Sequence, residues 1–458
     1  EQGEAGSVTL NTRHLILERG TVSASNQSGK VGGDIILENL ETLTVNQGEI
    51  SASTVEGNAG SLSINTNQNP VKTVQLNQGS LAVKATGTGN SGNLTVNAHT
   101  VNLQNHSDIS ASSNSGKGGN ITLPQLETLN VNNSQISAAT ATGTAGSINI
   151  NSRQNVELQN QGRITVEATD GGTAGNLTLQ TDTLTIADNS LISVSSLTGQ
   201  AGNITIQTQD LRLNRGAITA ETGKAGGESG ANINLTVSRF MTLSMDNNSL
   251  ISATAYGYAD GGNVTINTPL LIAQPGTGTN GNDIVAKAFF GDGGRITINA
   301  LGIFGISEGK ALAGNQSNDI DASSEYGTSG VITLNQAIDP NRGLVTLPGN
   351  VIDPNSLIEQ NVCQRRRQGQ SQLTTTGKTD LPPSLGDDFQ GVDNGVKLVE
   401  PSLREGQANA PVESFSQITP AQGWQRLANG KMLLVSEPLQ IVTPQRSPVL
   451  PSSCFPNL

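Results

Sequence analysis

GNLTVNA, residues 92–98, returns along the chain as GNITLPQ at 119–125, GNLTLQT at 175–181 and GNITIQT at 202–208. Twelve copies of this phrase open at Gly6, Gly33, Gly60, Gly92, Gly119, Gly146, Gly175, Gly202, Ala231, Gly262, Gly294 and Gly330. Their spacing is 27 residues in five of the eleven intervals and never exceeds 36, which is the mark of a repeat architecture. Two places after each opening residue stands Val, Ile or Leu, and four places after it the same holds, as in Val8 and Leu10, Leu62 and Ile64, or Ile121 and Leu123. The position between them is Thr, Ser or Asn in eleven copies, with Ile36 the exception. Such alternation by two predicts a short strand with one apolar face.

Two more apolar pulses follow in the early copies. Within 92–118 they are Val101 to Leu103 and Ile109 to Ala111, separated by the polar turn QNHSD. The last pulse recurs as Ile50-Ser51-Ala52, Ile136-Ser137-Ala138, Ile218-Thr219-Ala220 and Ile251-Ser252-Ala253. Each repeat therefore predicts three short strands joined by turns.

Composition narrows what such repeats can build. Aromatic residues make up 2% of the chain, 54 residues are Gly, and no apolar run approaches the roughly 18 residues that span a bilayer. A propeller would need about 40–50 residues per blade and a periodic aromatic signal. A left-handed hexapeptide helix would need a six-residue beat. Amphipathic helices conflict with the period of two and with turn residues every few positions. Disorder conflicts with twenty-four aliphatic residues at twenty-four fixed positions.

What remains is an all-β chain wound as a parallel β-helix, each strand pairing with its counterpart one coil later. Right-handed winding follows from the handedness of parallel crossovers. Twelve coils about 4.8 Å apart make a rod of roughly 55 Å. Ala111, Ala138 and Ala220 suit tight corners, and the outward Thr95, Thr122, Ser110, Ser137 and Thr219 suit rows of hydroxyls. Asn stands five places after the opening residue in seven of twelve copies, from Asn11 to Asn335, where stacked amides can form a hydrogen-bonded ladder. Sequons such as Asn93-Leu94-Thr95 and Asn120-Ile121-Thr122 are produced by the repeat itself, so turn and ladder chemistry is the expected role of these Asn residues.

Residues 1–337 read as β-helix repeats, 338–412 as an extended linker carrying a post-helix motif, and 413–458 as a small hairpin module. Thirteen of the 17 prolines lie after residue 338, whereas 44 of the 54 glycines lie before it, so the Pro-rich tail differs in kind from the rod. Within it, Asn429-Gly430 supplies a turn between WQRL and KMLLV.

Candidate chemistry is sparse. A β-helical polysaccharide lyase or hydrolase needs carboxylates clustered on one outer face. Asp319 and Asp321 flank an inward Ile320 and so share a face, with Asp283 beside Asp319 from the preceding coil, but the repeat places no basic partner near them. No catalytic role is expected for this pair, and the chain is expected not to be an enzyme. His99 and His106 flank one strand without further metal ligands, so neither a metal nor another cofactor is expected. DGGN at 260–263 and GDGGR at 291–295 lack the tandem nine-residue spacing of calcium repeats and read as turns in which Gly supplies positive φ. Arg365-Arg366-Arg367 is the one dense basic run, and against a net charge of −12 it does not make a nucleic-acid binder.

The repeats, with phrases such as ISATAYGYADGGNVTINT at 251–268, resemble the filamentous haemagglutinin-like exoproteins of two-partner secretion systems in Gram-negative bacteria. The tail resembles the cyanobacterial branch of that family. DPNRGLVTLP, VIDPNSLIEQNVC, TGKTDLPPSLGD and AQGWQRLANGKMLLV are similar to its post-helix, Gly- and Pro-rich, and Trp-centred closing elements. Lys378-Thr379-Asp380 stands where that family usually has an Arg-Gly-Gly run. The resemblance implies a secreted or surface-held adhesive rod, an outer-membrane transporter as secretion partner, and cell-surface or polysaccharide ligands. It also implies that this sequence, which begins inside a repeat, is the carboxy-terminal part of a longer exoprotein. In such an extracellular setting the even cysteine count, Cys363 and Cys454, suggests a disulfide. A passive surface-layer spacer is the remaining alternative.

Overall fold

The computed structural model describes residues 4–27, 31–66, 69–196, 198–223, 230–238, 242–246, 248–275 and 279–337, together with the strand residues 423–426 and 432–435. Among these there is no helix, and so no helix long and apolar enough to cross a membrane. The chain divides into two units, Glu1–Val345 and Thr346–Leu458.

The first unit is a parallel β-solenoid. The strands that begin each repeat pair in register from Val8–Asn11 to Val331–Gln336: Val8 lies opposite Ile35, Leu94 opposite Ile121, Ile121 opposite Ile148, and Ile296 opposite Ile332. The last pulse of each repeat builds a second sheet, with Ile109 opposite Ile136, Ile251 opposite Ile284, and Ile284 opposite Ile320. The inward positions of the opening strands are at most 1% exposed from Ile35 to Ile298. Only the end coils leave theirs partly open, at Val8, Leu10, Ile332 and Leu334. Each fully buried aliphatic side chain contributes about 1.5–3 kcal/mol, so the core grows by a similar increment with every coil. Ala111, Ala138 and Ala220 are fully buried, as expected for tight corners.

Three details depart from the sequence expectation. The first concerns strand number. The early coils do show three short strands, as in Val8–Asn11, His14–Glu18 and Thr21–Ser23. In the middle of the rod the first two pulses fuse into one bent strand, as in Ile121–Asn132, Ile148–Gln159 and Leu177–Ala187. The bend is a pair of register shifts on either side of Leu126, a bulge that turns the chain without ending the ladder. Later coils place a small hydroxyl residue at this corner, and Thr208 donates to the carbonyl of Asp210 at 2.7 Å and Thr268 to that of Leu270 at 2.9 Å. The buried corner is thus kept hydrogen-bonded.

The second departure concerns glycine. Positive φ in the turns before the last strand is carried by polar residues, among them Gln47 (53°), Asn105 (56°) and Asn133 (46°). The glycines of DGGN and GDGGR do not have positive φ. A Cβ on Gly262 or Gly294 would instead collide with the carbonyl oxygen of the residue that opens the previous coil, Ala231 or Gly262. The same collision recurs at Gly33, Gly60, Gly92, Gly119, Gly146, Gly175, Gly202 and Gly330. Glycine opens the repeat because two backbones meet there.

The third departure concerns the outward hydroxyls of the second sheet. Ser110 (3% exposed) and Thr219 (7%) are buried, while Ser137 is half-buried and Thr95 and Thr122 remain partly open. Small side chains stacked one per coil shield one another. Hydroxyls along this row also bond each other, as Thr219 does to Ser193 at 3.0 Å.

Of the second unit, Gly423–Arg426 and Met432–Val435 form an antiparallel pair with Trp424 opposite Leu434, the hairpin that the tail sequence predicts. Its turn at Asn429-Gly430 lies outside the described residues, as do Cys363, Cys454 and Arg365 to Arg367.

Candidate functional site

The residue directly after each opening Gly is a short hydrogen-bond acceptor in ten of the twelve copies: Ser7, Asp34, Ser61, Asn93, Asn120, Ser147, Asn176, Asn203, Asn232 and Asn263. Here the chain enters the strand, and the backbone N–H at this position points toward the preceding coil. The side chain below meets it. Asn93 Oδ1 accepts the N–H of Asn120 at 3.0 Å, Asn120 Oδ1 that of Ser147 at 2.8 Å, Asn176 Oδ1 that of Asn203 at 2.8 Å, and Asn203 Oδ1 that of Asn232 at 2.9 Å. Ser7 Oγ, Asp34 Oδ1 and Ser61 Oγ continue the column at the amino-terminal end, and Asn232 Oδ1 reaches Asn263 at the other. The sequon asparagines are therefore rungs of a ladder.

Two places further on, the strands from Leu94 to Val264 present Thr or Asn on the same outer face, since side chains alternate by two. Together the two rows line a groove of about 620 Å³ over five coils. Its walls are Asn176 and Thr178, Asn203 and Thr205, Asn232 and Asn234, Asn263 and Thr265, and it is closed by Arg295. Four coil spacings of about 4.8 Å give it a length near 19 Å. The amide nitrogens of Asn232 and Asn263 bond the Oδ1 one coil below at 2.9 and 2.7 Å, so these side chains are already held in one orientation. Among the described residues the hydroxyls of Thr178, Thr205 and Thr265 have no protein partner. The groove is thus a fixed array of amide and hydroxyl groups repeating at the coil spacing. Its amides, hydroxyls and one guanidinium are groups that can donate hydrogen bonds to, and except for the guanidinium accept them from, the hydroxyls of a ligand.

The ladder expected five places after the opening residue forms at the carboxy-terminal end, where Asn299 donates to Asn267 at 2.7 Å and Asn335 to Asn299 at 2.8 Å. Asn11 and Asn151 stay exposed, and in two coils that position is drawn into the fold. Asn65 is buried and bonds the carbonyl of Leu40 at 2.8 Å, and Asn97 bonds that of Asn65 at 3.0 Å.

Asp283, Asp319 and Asp321 do come together. The N–H of Asp319 donates to Asp283 Oδ1 at 3.0 Å. Contrary to the sequence expectation, a basic partner is present: Lys287 lies 3.1 Å from Asp321 Oδ2. It sits in the coil before Asp321, two places beyond the residue paired with it, where the repeat carries no fixed residue type. The carboxylates are nevertheless enclosed, with Asp319 5% and Asp321 3% exposed. The segment 309–318 covers them. Asn315 and Ser317 donate to Asp319 Oδ2 at 2.8 and 2.7 Å, and the N–H of Ala311 donates to Asp321 Oδ2 at 2.9 Å. Burial pushes the Asp283 carboxyl up, and the charges of Asp319 and Asp321 add to that. Burial also acts to raise Asp321, but hydrogen bonds from Ser323, Ala311 and Lys287 outweigh it and hold its pKa below the ordinary value. These groups serve as the anchor of a surface loop.

An Asp321→Ala variant is accordingly expected to free the segment 309–318, raising the rate of tryptic cleavage at Lys310 by about tenfold, as loss of hydrogen bonds to a charged group implies. In the parent chain the depressed Asp321 pKa means that this anchoring is present above the ordinary carboxylate pKa and is lost as pH falls through the lower folded value. Protection should persist through the ordinary carboxylate range and fail only below it. Limited proteolysis against pH, with an acid-active protease for the lower arm, checks both.

His99 Nδ1 faces Glu127 across one coil at 3.5 Å, and His14 Nδ1 bonds Thr42 at 2.8 Å. No group of three or more metal-ligating side chains occurs among the described residues. Comparison of the chain with protein-family models, with curated proteins and with solved structures found no match.

Proposed function

We propose that the chain is the binding rod of an adhesive surface or secreted protein, and that it holds extended polysaccharide along the outer face of its opening strands. The observation that carries this reading is the groove from Asn176 to Arg295, in which oriented amides and open hydroxyls recur once per coil. A polymer whose own hydroxyls recur at regular intervals can engage many such positions, and weak contacts then sum. A solenoid core tolerates this use because it needs only the inward positions, leaving the outward ones free for recognition. The resemblance to two-partner secretion exoproteins points the same way. On this reading the rod works outside the cell after passage through an outer-membrane transporter, with other surfaces or matrix as the target.

Deletion of whole coils from the groove is expected to weaken binding to extracellular polysaccharides in steps, each coil removed costing a fraction of the affinity. Titration against a polysaccharide panel measures this, with depolymerisation of the same panel followed in parallel. Loss of all binding on removal of one coil would overturn the distributed reading. Depolymerisation by the parent chain that vanishes in an Asp319→Asn, Asp321→Asn double variant would replace it with an enzymatic one.

A further inference from the structure

All three tyrosines of the chain and two of its seven phenylalanines gather at one corner of the rod. Tyr256 and Tyr258 lie in one turn, Phe289 and Phe290 in the turn one coil later, and Tyr326 in the next. Their backbones are held in register by the parallel bridges Ala255 to Ala288 and Ala288 to Ser324. The rings of Tyr258, Phe290 and Tyr326 stack into a column, with centroids 4.7 and 5.1 Å apart and planes within 17° and 26° of parallel. Phe289 packs edge-on against Phe290 and Tyr326. The five residues are 42–68% exposed, whereas the hydrophobic core of the described residues contains no aromatic side chain. Stacking for stability alone would place rings inside, where burial adds most. Here the aromatic surface is held in water, which marks a binding surface.

Its neighbours indicate what binds. Asp260 lies two residues from Tyr258, Asp292 two from Phe290, and Glu325 adjoins Tyr326. Asp260 and Asp292 are fixed by accepting the N–H of Asp292 at 2.8 Å and of Thr328 at 2.9 Å. Tyr256 lies beside Glu221 of the coil below. A second copy of the chain would bring the same carboxylates against each other, and a polyuronate or sulfated glycan would be repelled. A neutral pyranose with equatorial hydroxyls meets neither obstacle: its axial hydrogens form an apolar face for a ring, and its hydroxyls donate to carboxylates. The corner also lies within reach of the groove along the chain. Five residues separate Tyr258 from Asn263 and five separate Phe290 from Arg295, which limits each separation to about 18 Å.

We propose that this aromatic corner is a stacking subsite for a neutral polysaccharide of the β-linked glucose type, extending the Asn and Thr groove. The inference rests on the groove reading for its continuity, and the rings themselves supply the specificity for a neutral sugar face.

Cellohexaose, with hexameric polygalacturonate as the charged control, tests the proposal by calorimetric titration of the full chain. Tyr258→Ala and Tyr326→Ala are suitable variants because both rings are largely exposed and neither supports the core. Each is expected to lower cellohexaose affinity roughly three- to tenfold, with an unchanged thermal melt, while Tyr326→Phe retains the parent affinity because the ring face is kept. Asn203→Ala with Thr205→Val probes the groove separately. Weakening by the groove variant but not by the ring variants would overturn this inference and leave the groove reading standing. Weakening by the ring variants alone would support the aromatic subsite while removing the groove. Absence of cellohexaose binding, stronger binding of the uronate, or ring variants that abolish self-association instead would each overturn the proposal.

Discussion

An Ile121→Asp variant is expected to lose stability on the order of 3–5 kcal/mol, while Thr122→Asp, one residue away, changes it by less than about 0.5 kcal/mol. Ile121 is fully buried between Leu94 of the coil below and Ile148 of the coil above. An aspartate there would have no cation and no hydrogen-bond donor, because the inward column at this level is aliphatic from Ile35 to Ile298. Thr122 points the other way, between Thr95 and Asn149, where a carboxylate stays in water. Since each coil touches only its neighbours, the damage should begin locally. Hydrogen exchange is expected to show amide protection lost first in the coils carrying Leu94, Ile121 and Ile148, ahead of the ends. Equal melting of the two variants would refute the register.

That register was legible because an apolar residue every second position, repeated every 27 to 36 residues, admits few other structures. The pairs Leu94 with Ile121 and Ile121 with Ile148 follow from aligning the repeats. Fusion of the first two strands was not legible: Pro124-Gln125 and Ser152-Arg153 look like breaks, yet the structure passes through them as bends. A bulge is set by how the corner residue packs on its neighbours in the stack. That information is absent from any single copy. The burial of Ser110 and Thr219 is likewise a property of the stack, since a hydroxyl that would be open on one strand is shaded by the rows beside it.

Candidate chemistry was less legible than the fold. Asp319 and Asp321 stood out as a pair on one face, and Asp283 does adjoin them, yet their covering comes from the segment 309–318, whose sequence carries no repeat signal. Lys287 carries no sequence signal because the residue at its position varies from coil to coil. Asn five positions after the opening residue predicts a ladder that is only partial, and the stronger column stands one position after it. A short acceptor in ten of twelve copies is the signal for that column, and it coincides with the sequon pattern. The aromatic corner had a signal too, six of the eleven aromatic residues within 71 positions, but only the stacking of three turns joins five of them at one corner.

The opening glycines yield the second large effect. A Gly146→Val variant is expected to cost about 3 kcal/mol or more, and Gly146→Ala about 1–3 kcal/mol, whereas Gly6→Ala should be close to neutral. A Cβ at position 146 would overlap the carbonyl oxygen of Gly119. No side chain can move aside to relieve this, because both partners are backbone. Separating them would strain the adjoining ladder, in which the N–H of Ile121 is bonded to the carbonyl of Ser147 at 2.9 Å. Gly6 is the internal control: a Cβ there would find nothing within 4 Å. If instead glycine were needed for its backbone freedom, the two positions would respond alike in proportion to their dihedral angles, and neither has positive φ. Ala231 shows that one coil accommodates a methyl group, so the alanine variant at 146 should fold and remain measurable. Denaturant titration of the three variants decides the matter, and a Gly146→Val chain as stable as its parent would exclude close backbone approach as the reason for the repeat's first residue.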